Sequence, residues 1–483
     1  MKINPAHYII LFILIAFTSC QIGKPYVRPQ VEMPAEYRID DRITLADTTN
    51  KDTVLWQEIF KDTLLVNLIN DALDRNTDLQ NALINIQIAE KYVLQSRLLN
   101  RPEVGADLLS FNQMYRSENY RSAPNSKWYD EKGKEPPRSM YLQVGEVSSG
   151  IFANWEIDIW KKFQHYQQAD SADYEATWEI KRAIENRLIS SIATAYFNLV
   201  RLNARIDVAR RNANLSDSTL RMMELQYDAG EITKLALQQT EAQRLVALSL
   251  VPQLEEEIII QENILRTLAS RYPSAVDISK NPEEIVEIDS LIDVGAPIHL
   301  LRNRPDVREA ELRLIAANAD MNIQQTLRYP SLSIGGSTGL NALMPKNWFQ
   351  IPGSLFGGIS AGLTTPVFKR KKLKTAYEIA ALEREKAELD LYQTLYESVA
   401  EVSNSLVKIH KQKERIEYAD RKVENAQSAV QNANLLFKSG YATYLEVITA
   451  QSNALQSDLD RIDIQHQQYE AIIELYSALG ARW

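Results

Sequence analysis

The chain consists of two similar halves, and this duplication constrains its fold more than any other feature. In the first half, Asn76-Thr77-Asp78-Leu79 is followed by an Ala-rich segment and then by Arg101-Pro102-Glu103-Val104. In the second half, Arg304-Pro305-Asp306-Val307 is followed by a similar segment and then by Tyr329-Pro330-Ser331-Leu332, at an offset of 228 residues. Each half is therefore expected to fold as one copy of the same supersecondary unit.

Further along the chain the offset falls to 210, because Gly440 corresponds to Gly230. The first half therefore carries 228 − 210 = 18 extra residues between Pro102 and Gly230. We place them in 117–137, a segment rich in Ser, Pro, Gly, Tyr and charge that is typical of a surface loop. Each half then has the order short helices, two strands, two long helices.

Each half contains a long segment with the seam of a coiled coil. Apolar and small residues recur in alternating steps of 4 and 3, which is the 3.5-residue period of supercoiled helices. In the first half these positions are Leu188, Ile192, Ala195, Leu199, Leu202, Ile206, Ala209 and Ala213. The stretches from about 160 to 228 and from 369 to 439 lack proline, so each predicts a helix roughly 100 Å long at 1.5 Å per residue. A return helix is expected after each, and Pro252 is expected to kink the first of these.

Two short segments predict where the chain reverses. Each long helix ends at a glycine suited to the left-handed position after a helix, Gly230 in the first half and Gly440 in the second. A threonine follows at the position of a helix N-cap, Thr233 and Thr443 respectively. We therefore expect two helical hairpins, each with its turn at one of these glycines.

The segments between the short and the long helices alternate with a period of two residues. In 331–340, 358–367 and 146–159, one face is largely apolar and the other is small and polar. Such strands suit a membrane barrel with lipid outside and water inside, although a strand of a soluble sandwich has the same period. Four strands cannot close a barrel, whereas three chains would supply twelve, and this count favours the membrane barrel. Trp348 and Phe349 are candidates for an aromatic girdle.

The N-terminus has the features of a secretory signal. The apolar block Tyr8–Phe17 follows Lys2, which is the length and charge order of a signal peptide and too short for a membrane span. Cys20, the only cysteine of the chain, stands directly behind it and resembles the lipidated cysteine of a bacterial lipobox. We favour lipidation over simple cleavage near Ser19, because one unpaired thiol has no evident use in a secreted protein. Gln21 after the cysteine fits sorting to the outer membrane.

Composition and residue spacing single out no catalytic site, and a two-carboxylate site stays open although no pair stands out among the 63 acidic residues. The formal net charge of −9 argues against nucleic acid as a partner. The chain has no Gly-rich phosphate loop and no nucleophile elbow, and the histidines outside the signal segment have no partner at metal-ligand spacing. These histidines are His165, His299, His410 and His466. We therefore expect no enzyme, no metal and no cofactor other than a covalent lipid on Cys20. A lipid-anchored coiled-coil scaffold is an alternative, but it does not explain strands inserted at equivalent points of a duplication.

The chain resembles the TolC family of outer-membrane factors, nearest to its OprM-like and NodT-like lipoprotein branch. The resemblance covers nearly the whole mature chain, and its motifs are specific in combination with the duplication. They are Pro25-Tyr26-Val27-Arg28-Pro29, Leu55-Trp56-Gln57-Glu58-Ile59-Phe60, Asn76-Thr77-Asp78-Leu79, and the run from Leu300 to Glu311 followed by Tyr329-Pro330.

The resemblance implies a mostly α-helical chain with a membrane β-barrel. The assembly would be a homotrimer in which a 12-stranded β-barrel continues into a 12-helix periplasmic α-barrel. Residues 1–19 would be the signal peptide, and 20–62 a lipidated segment packing on an equatorial belt. The first repeat would occupy 63–272, a linker in the belt 273–304, and the second repeat 305–483.

The resemblance also implies a passive exit duct for small molecules, lipid-anchored in the outer membrane of a Gram-negative bacterium. Its partners would be outer-membrane lipid, a periplasmic adaptor (membrane fusion) protein and an inner-membrane transporter of the resistance-nodulation-division (RND) type. An exit duct for type I protein secretion with an ABC transporter is the alternative within the same class. The lipobox and the Arg304-Pro305-Asp306-Val307 segment favour efflux of small molecules, by resemblance alone.

In this family the helical tunnel closes at its periplasmic tip, where acidic residues after the turn glycine form rings. By position the first acidic site falls on Glu446, whereas the second falls on Thr449 and the first-half equivalent on Ala236. One ring of three glutamates is therefore expected, and like charges at a constriction favour cations. Thr443-Tyr444-Leu445-Glu446 is also a capping box, so Glu446 has a purely structural interpretation, and the two roles are compatible.

Phe437, three residues before Gly440, likewise has two interpretations. It is either a plug at the tip of the tunnel or the last apolar seam residue of its helix, and the second interpretation is the safer one. The tip segments 227–235 and 437–445, which carry the turn residues named above, are expected to face the adaptor.

Overall fold

The computed structural model describes residues 22–31, 33–34, 37–38, 56–117, 141–279, 304–343 and 345–480. These residues form long helices and one four-stranded antiparallel sheet. The expectation of a mostly helical, internally duplicated chain with four strands is confirmed. Across the described ranges, no helix combines the length and the apolar composition required to cross a bilayer.

From the helix that precedes the strands onward, the described elements follow the same order in both halves of the chain. The first half contains α1 (Trp56–Ile59), α2 (Thr63–Arg75), α3 (Thr77–Leu98), β1 (Glu103–Ser117), β2 (Tyr141–Ile157), α4 (Lys162–Asp228) and α5 (Lys234–Leu268). The second half contains α6 (Pro305–Thr326), β3 (Ser331–Ala342), a 3₁₀ turn (Pro345–Asn347), β4 (Leu355–Thr364), α7 (Lys372–Lys438) and α8 (Tyr444–Ala478).

Corresponding helices of the two halves have equal lengths. The long helices α4 and α7 have 67 residues each, and the return helices α5 and α8 have 35 each. At 1.5 Å per residue the long helices measure roughly 100 Å, as the proline-free stretches predict. The α4 helix begins where the Asp158 carboxylate accepts hydrogen bonds from the Phe163 and Gln164 amides, at 3.1 and 3.2 Å. The α5 helix continues through Pro252, and a kink there stays a prediction.

The strands pair in the order β1-β2-β3-β4, so the two hairpins of the duplication join through β2 and β3. The bases of the two hairpins correspond, with Glu103 opposite Asn154 in one and Ser331 opposite Thr364 in the other. The strand predicted to reach residue 159 ends at Ile157. The first residue of the predicted loop 117–137 is the last residue of β1, and 118–137 lie outside the described residues.

The chain divides into two compact units. One comprises 1–27, 90–172 and 315–386 and contains the sheet, and the other comprises 28–89, 173–314 and 387–483. The second unit has an aromatic core in which Phe197 stacks on Tyr469 with ring centroids 4.7 Å apart. Phe60 packs edge-on against Tyr476 in the same core, and Trp56 is 2% exposed. Each such buried side chain stabilises the fold by about 1.5–3 kcal/mol, and the core joins α1, α4 and α8 within this unit.

Candidate functional site

The first helical hairpin turns at Gly230, whose φ of +77° lies in the left-handed region. Its amide donates to the Tyr227 carbonyl, and the Glu231 amide donates to the Gln226 carbonyl, both at 2.9 Å. These two bonds form a Schellman motif, which satisfies carbonyls that the helix itself leaves without a partner. A side chain at Gly230 would meet no atom within 4 Å, so the backbone angle rather than crowding requires glycine.

The second hairpin turns at Gly440 with the same geometry. Its φ is +76°, its amide donates to the Phe437 carbonyl at 3.0 Å, and the Tyr441 amide donates to the Leu436 carbonyl at 2.9 Å. The space around Gly440 is also open within 4 Å. The two turns are therefore built alike, as their offset of 210 residues predicts.

The return helices begin at the two predicted threonines but are capped differently. The Thr233 hydroxyl accepts a hydrogen bond from the Ala236 amide at 3.3 Å. At the other turn the Glu446 carboxylate accepts from the Thr443 amide at 2.8 Å and also from the Thr443 hydroxyl. The Thr443 hydroxyl bond is the main cause that lowers the pKa of Glu446, so this exposed carboxylate is ionised at neutral pH. Within a single chain Glu446 therefore caps the start of α8. The ring of three glutamates, which would need three copies of the chain, stays a prediction.

Phe437 lies in a small apolar cluster close to both turns. It is 9% exposed and packs with Met223 of α4, Ala236 of α5, Ala433 of its own helix α7, and Val447 of α8. This packing gives Phe437 a structural role as a seam residue within the single chain. A plug at the tip of a tunnel stays a prediction, because it would involve several copies of this side chain.

Two polar contacts connect the hairpins near their tips. The Tyr444 hydroxyl donates to the Gln239 side-chain carbonyl at 2.5 Å. Deeper in the bundle the Gln451 amide donates to the Thr219 hydroxyl at 2.9 Å, with both side chains buried. A polar pair inside an apolar seam specifies which residues of two helices lie opposite each other. No motif in the sequence indicates these pairs, since each partner lies more than 200 positions away.

Large apolar side chains are exposed on both sides of each turn. Leu225 is 72% exposed and Leu235 60% in the first hairpin, and Tyr441 is 84% and Leu445 58% exposed in the second. Single exposed apolar residues are ordinary, but a group of them at one end of a helical bundle is typical of a protein-binding surface. The tips therefore offer an apolar surface to a partner.

The arginine of the Arg304-Pro305-Asp306-Val307 segment holds the end of the last helix. Its guanidinium donates to the carbonyl of Ala478, the last residue of α8, at 2.8 Å. It also pairs with the carboxylates of Asp306 at 2.6 Å and Glu401 at 2.7 Å, and its side chain is 8% exposed. Because the terminal carbonyls of a helix lack helical partners, this arginine joins the end of α8 to the start of α6. The sequence marks this segment only as a family feature.

A polar cavity of 840 Å³ lies beside this arginine, lined by α4, α5, α7, α8 and the start of α6. Its lining includes three arginines (Arg187, Arg201, Arg304) and three carboxylates (Asp306, Glu401, Glu470), so it carries no net formal charge. Burial, reinforced by Arg201, lowers the pKa of His466 to about 4, and burial raises the pKa of Glu470. The 3.6 Å contact between these two side chains is therefore no ion pair at neutral pH. Within the described ranges, no group of three His, Cys, Asp or Glu side chains could hold a metal ion.

Two predicted features remain predictions. Cys20 lies outside the described residues, so its lipidation is not tested. Trp348 and Phe349 pack together with ring centroids 4.9 Å apart, and Phe349 is 74% exposed, and their place in an aromatic girdle stays a prediction.

Comparison with known proteins extends these observations over the whole chain. The family profile described as outer membrane efflux protein matches residues 68–271 and 297–481, which are the two halves of the duplication. The cation efflux system protein CusC of Escherichia coli O6:H1 is 24% identical over 484 residues, 99% of each chain. The solvent efflux pump outer membrane protein SrpC of Pseudomonas putida is 25% identical over 483 residues, covering 98% of this chain and 97% of its own. The solved structure of the outer-membrane channel OprN superposes with a TM-score of 0.83 at 21% identity, over 96% of this chain and 100% of its own.

Proposed function

The chain belongs to the outer membrane efflux protein family, and from this premise we propose that it is the exit duct of a tripartite efflux pump. It is an outer membrane channel component of efflux systems and not an enzyme. The duct would work passively, receiving small molecules from an inner-membrane RND transporter through a periplasmic adaptor. The observation that carries this proposal is the match of the family profile to both halves of the duplicated chain.

A homotrimer is part of the proposal, and the sheet supports it. Strands β1 and β4 each have one edge without a partner strand in the described chain, although both are ten or more residues long. Long free edges are a liability unless another strand pairs with them. Three copies would supply twelve strands, an even number that suits a closed outer-membrane barrel, and twelve long helices to continue it.

We propose that the cargo is chosen elsewhere in the pump. Relatives named for cation efflux and for solvent efflux match this chain over nearly its full length at 24% and 25% identity. The duct itself would then select little, and the transporter that delivers the small molecules would choose the cargo. The ring of Glu446 carboxylates would then add a mild preference for cations at the tip.

We propose that the adaptor binds the exposed apolar side chains at the two turns. Leu225, Leu235, Tyr441 and Leu445 offer the apolar part of that surface, and the glycine turns hold it in place. The relevant test is brief cross-linking in intact cells, purification of the tagged protein and mass spectrometry of what accompanies it. Recovery of an adaptor and an RND transporter is expected. An ABC transporter would support type I secretion instead, and the absence of any inner-membrane partner would refute both.

The anchor of the duct would be a lipid on Cys20. A relative that is 23% identical over 479 residues is named a probable outer membrane lipoprotein, which supports this part of the proposal. The test is metabolic labelling with a radioactive or alkyne-bearing fatty acid. Cys20→Ala is expected to abolish the label, and a label that persists in this variant would disprove the lipobox interpretation.

A further inference from the structure

The N-terminal segment 22–28 lies against one polar face of α6, in an irregular extended conformation. We propose that this face is a docking site for the segment, and that it fixes the position from which the lipid-bearing end of the chain emerges. The docking is a property of the chain itself. Its consequence for the anchor rests on the lipidation of Cys20 proposed above.

The first contact is a pair of buried asparagines that bind the main chain of Lys24. The Lys24 amide donates to the Asn322 side-chain oxygen at 3.1 Å, and the Asn322 side-chain nitrogen donates back to the Lys24 carbonyl at 2.9 Å. The Asn318 side chain donates to the same carbonyl at 3.2 Å. Asn322 is 1% exposed and Asn318 6%, so each would be costly to bury without a partner. The segment supplies that partner through its backbone.

Gly23 allows this close approach. Its φ is +111°, and a Cβ there would lie 2.7 Å from two atoms of the Asn322 side chain. Only glycine therefore fits between the segment and α6. On the other side, Nε2 of the buried His165 ring lies 3.1 Å from the Ile22 carbonyl, a hydrogen bond in which the ring donates. His165 is one of the four histidines for which the sequence offers no partner at metal-ligand spacing.

The second contact is an ion pair between Arg28 and Glu311. The Arg28 guanidinium pairs with both carboxylate oxygens, with Nε to Oε1 and Nη2 to Oε2 each at 2.7 Å. The Glu311 side chain is 6% exposed, and Arg308 contacts the same carboxylate at 2.6 Å. A bidentate pair of this kind fixes the orientation of the Arg28 guanidinium as well as its position on α6. The pair also connects two family motifs. Arg28 belongs to Pro25-Tyr26-Val27-Arg28-Pro29, and Glu311 ends the run from Leu300 to Glu311. The sequence alone shows these motifs only as separate features.

Comparison of the two repeats indicates that this face of α6 is specialised. Glu311, Asn318 and Asn322 are 7 and 4 residues apart, which places them on one side of the helix. The equivalent helix α3 has the same 22 residues at an offset of 228, and its matching positions are Leu83, Glu90 and Leu94. Both leucines are 44% exposed. The duplicated chain has two such helices but only one N-terminal segment. Asparagines occupy these matched positions only in α6, the helix that the segment contacts.

The docked segment sets the point from which the lipid-bearing residue is reached. Only Gln21 separates Ile22 from Cys20, and two extended residues span at most about 7 Å. A lipid on Cys20 would therefore be attached within that reach of the docked Ile22, whereas an undocked segment would act as a loose tether. The docking site thus adds a positional constraint that the lipid alone does not provide.

The test uses a nitroxide spin label on Val27→Cys in the full-length protein, since Val27 is 74% exposed and tolerates the label. Asn322→Leu removes the main contact on α6, and Gly23→Val disrupts the same contact from the segment while α6 stays unchanged. Both variants are expected to convert the label from a restricted spectrum to a largely mobile one. Asn432→Leu, an exposed asparagine on α7, is the matched control and is expected to leave the spectrum restricted.

A further variant separates the docking from the anchor. In Cys20→Ser the segment is expected to stay restricted, because the asparagines hold it without a lipid. A mobile label in Cys20→Ser would overturn the proposal, since the lipid would then hold the segment. An unchanged spectrum in both Asn322→Leu and Gly23→Val would also overturn it. If mass spectrometry finds no acyl group on Cys20 while the label at position 27 stays restricted in Cys20→Ser, where it is on the only thiol, the docking site stands and the proposed anchor fails.

Discussion

The turn glycines allow a prediction whose size follows from the backbone alone. Gly440 has a φ of +76°, and no atom lies within 4 Å of the position that a new Cβ would take. Gly440→Ala therefore introduces no clash, and its cost is the left-handed conformation of a residue with a side chain, about 1–2 kcal/mol. Alanine also restricts the open form of the turn, which returns about 0.4–1 kcal/mol. The net loss is expected to be about 1 kcal/mol, or roughly a fivefold increase in local opening, since 1.4 kcal/mol corresponds to tenfold.

Hydrogen exchange measures this opening directly. The Gly440 and Tyr441 amides donate the two hydrogen bonds of the turn, so their exchange rates report whether the turn is closed. Gly440→Ala is expected to raise both rates about fivefold, whereas exchange at the Gly230 turn, whose two hydrogen bonds lie within its own hairpin, should change much less. Gly440→Asn is the matched control, because asparagine adopts the left-handed conformation more readily, and its effect should be smaller. Equal exchange in wild type, Gly440→Ala and Gly440→Asn would refute the view that the backbone angle requires glycine here.

Three further changes test the interior and the tip. Arg304→Gln leaves the Ala478 carbonyl and two carboxylates without their charged donor, and should lower the free energy of unfolding by about 2–4 kcal/mol; an unchanged thermal midpoint would contradict this. Because the pKa of His466 in the folded chain is about 4, below its ordinary 6.5, stability should be highest above pH 6.5 and fall as the pH drops towards 4. His466→Gln should flatten that decline by roughly 2 kcal/mol after solvent screening is allowed for, and an equally steep profile in denaturant titrations would disprove it. Glu446→Gln should lower cation preference in planar-bilayer recordings while the helix cap persists, because glutamine also fits a capping box; unchanged selectivity would leave Glu446 with the capping role alone.

The elements that the sequence predicts well are those defined by local patterns. The seam of the long helices repeats over many turns, and the absence of proline leaves α4 and α7 uninterrupted from end to end. Their ends are also local, because a Schellman turn needs little more than a glycine at one position. Gly230 and Gly440 could therefore be located from the sequence, and the capping box of Thr443 and Glu446 with them.

The features that the sequence does not predict join residues far apart in the chain. Lys24 and Asn322 are 298 positions apart, and Arg304 and Ala478 are 174 apart. No periodicity relates such pairs, and a single asparagine or arginine on a helix is usually a solvated residue. Buried polar residues acquire a meaning only when their partners are known, since each must find a hydrogen bond on folding. Arg304 was therefore recognisable as a family feature but not as the residue that holds the end of α8.

The difference between Ala236 and Glu446 shows how burial overrides local helix chemistry. Both residues occupy the third position of a return helix after a capping threonine, and a glutamate at either would complete a capping box. A cap of this kind contributes about 1 kcal/mol. Ala236, however, is 1% exposed and packs in the apolar cluster with Phe437, whereas Glu446 is exposed. Burying an unpaired carboxylate costs more than one cap provides, so the packed hairpin takes alanine. The acidic residue therefore appears only on the hairpin whose third position faces solvent, and this burial explains why the first hairpin adds no carboxylate to the predicted selectivity ring.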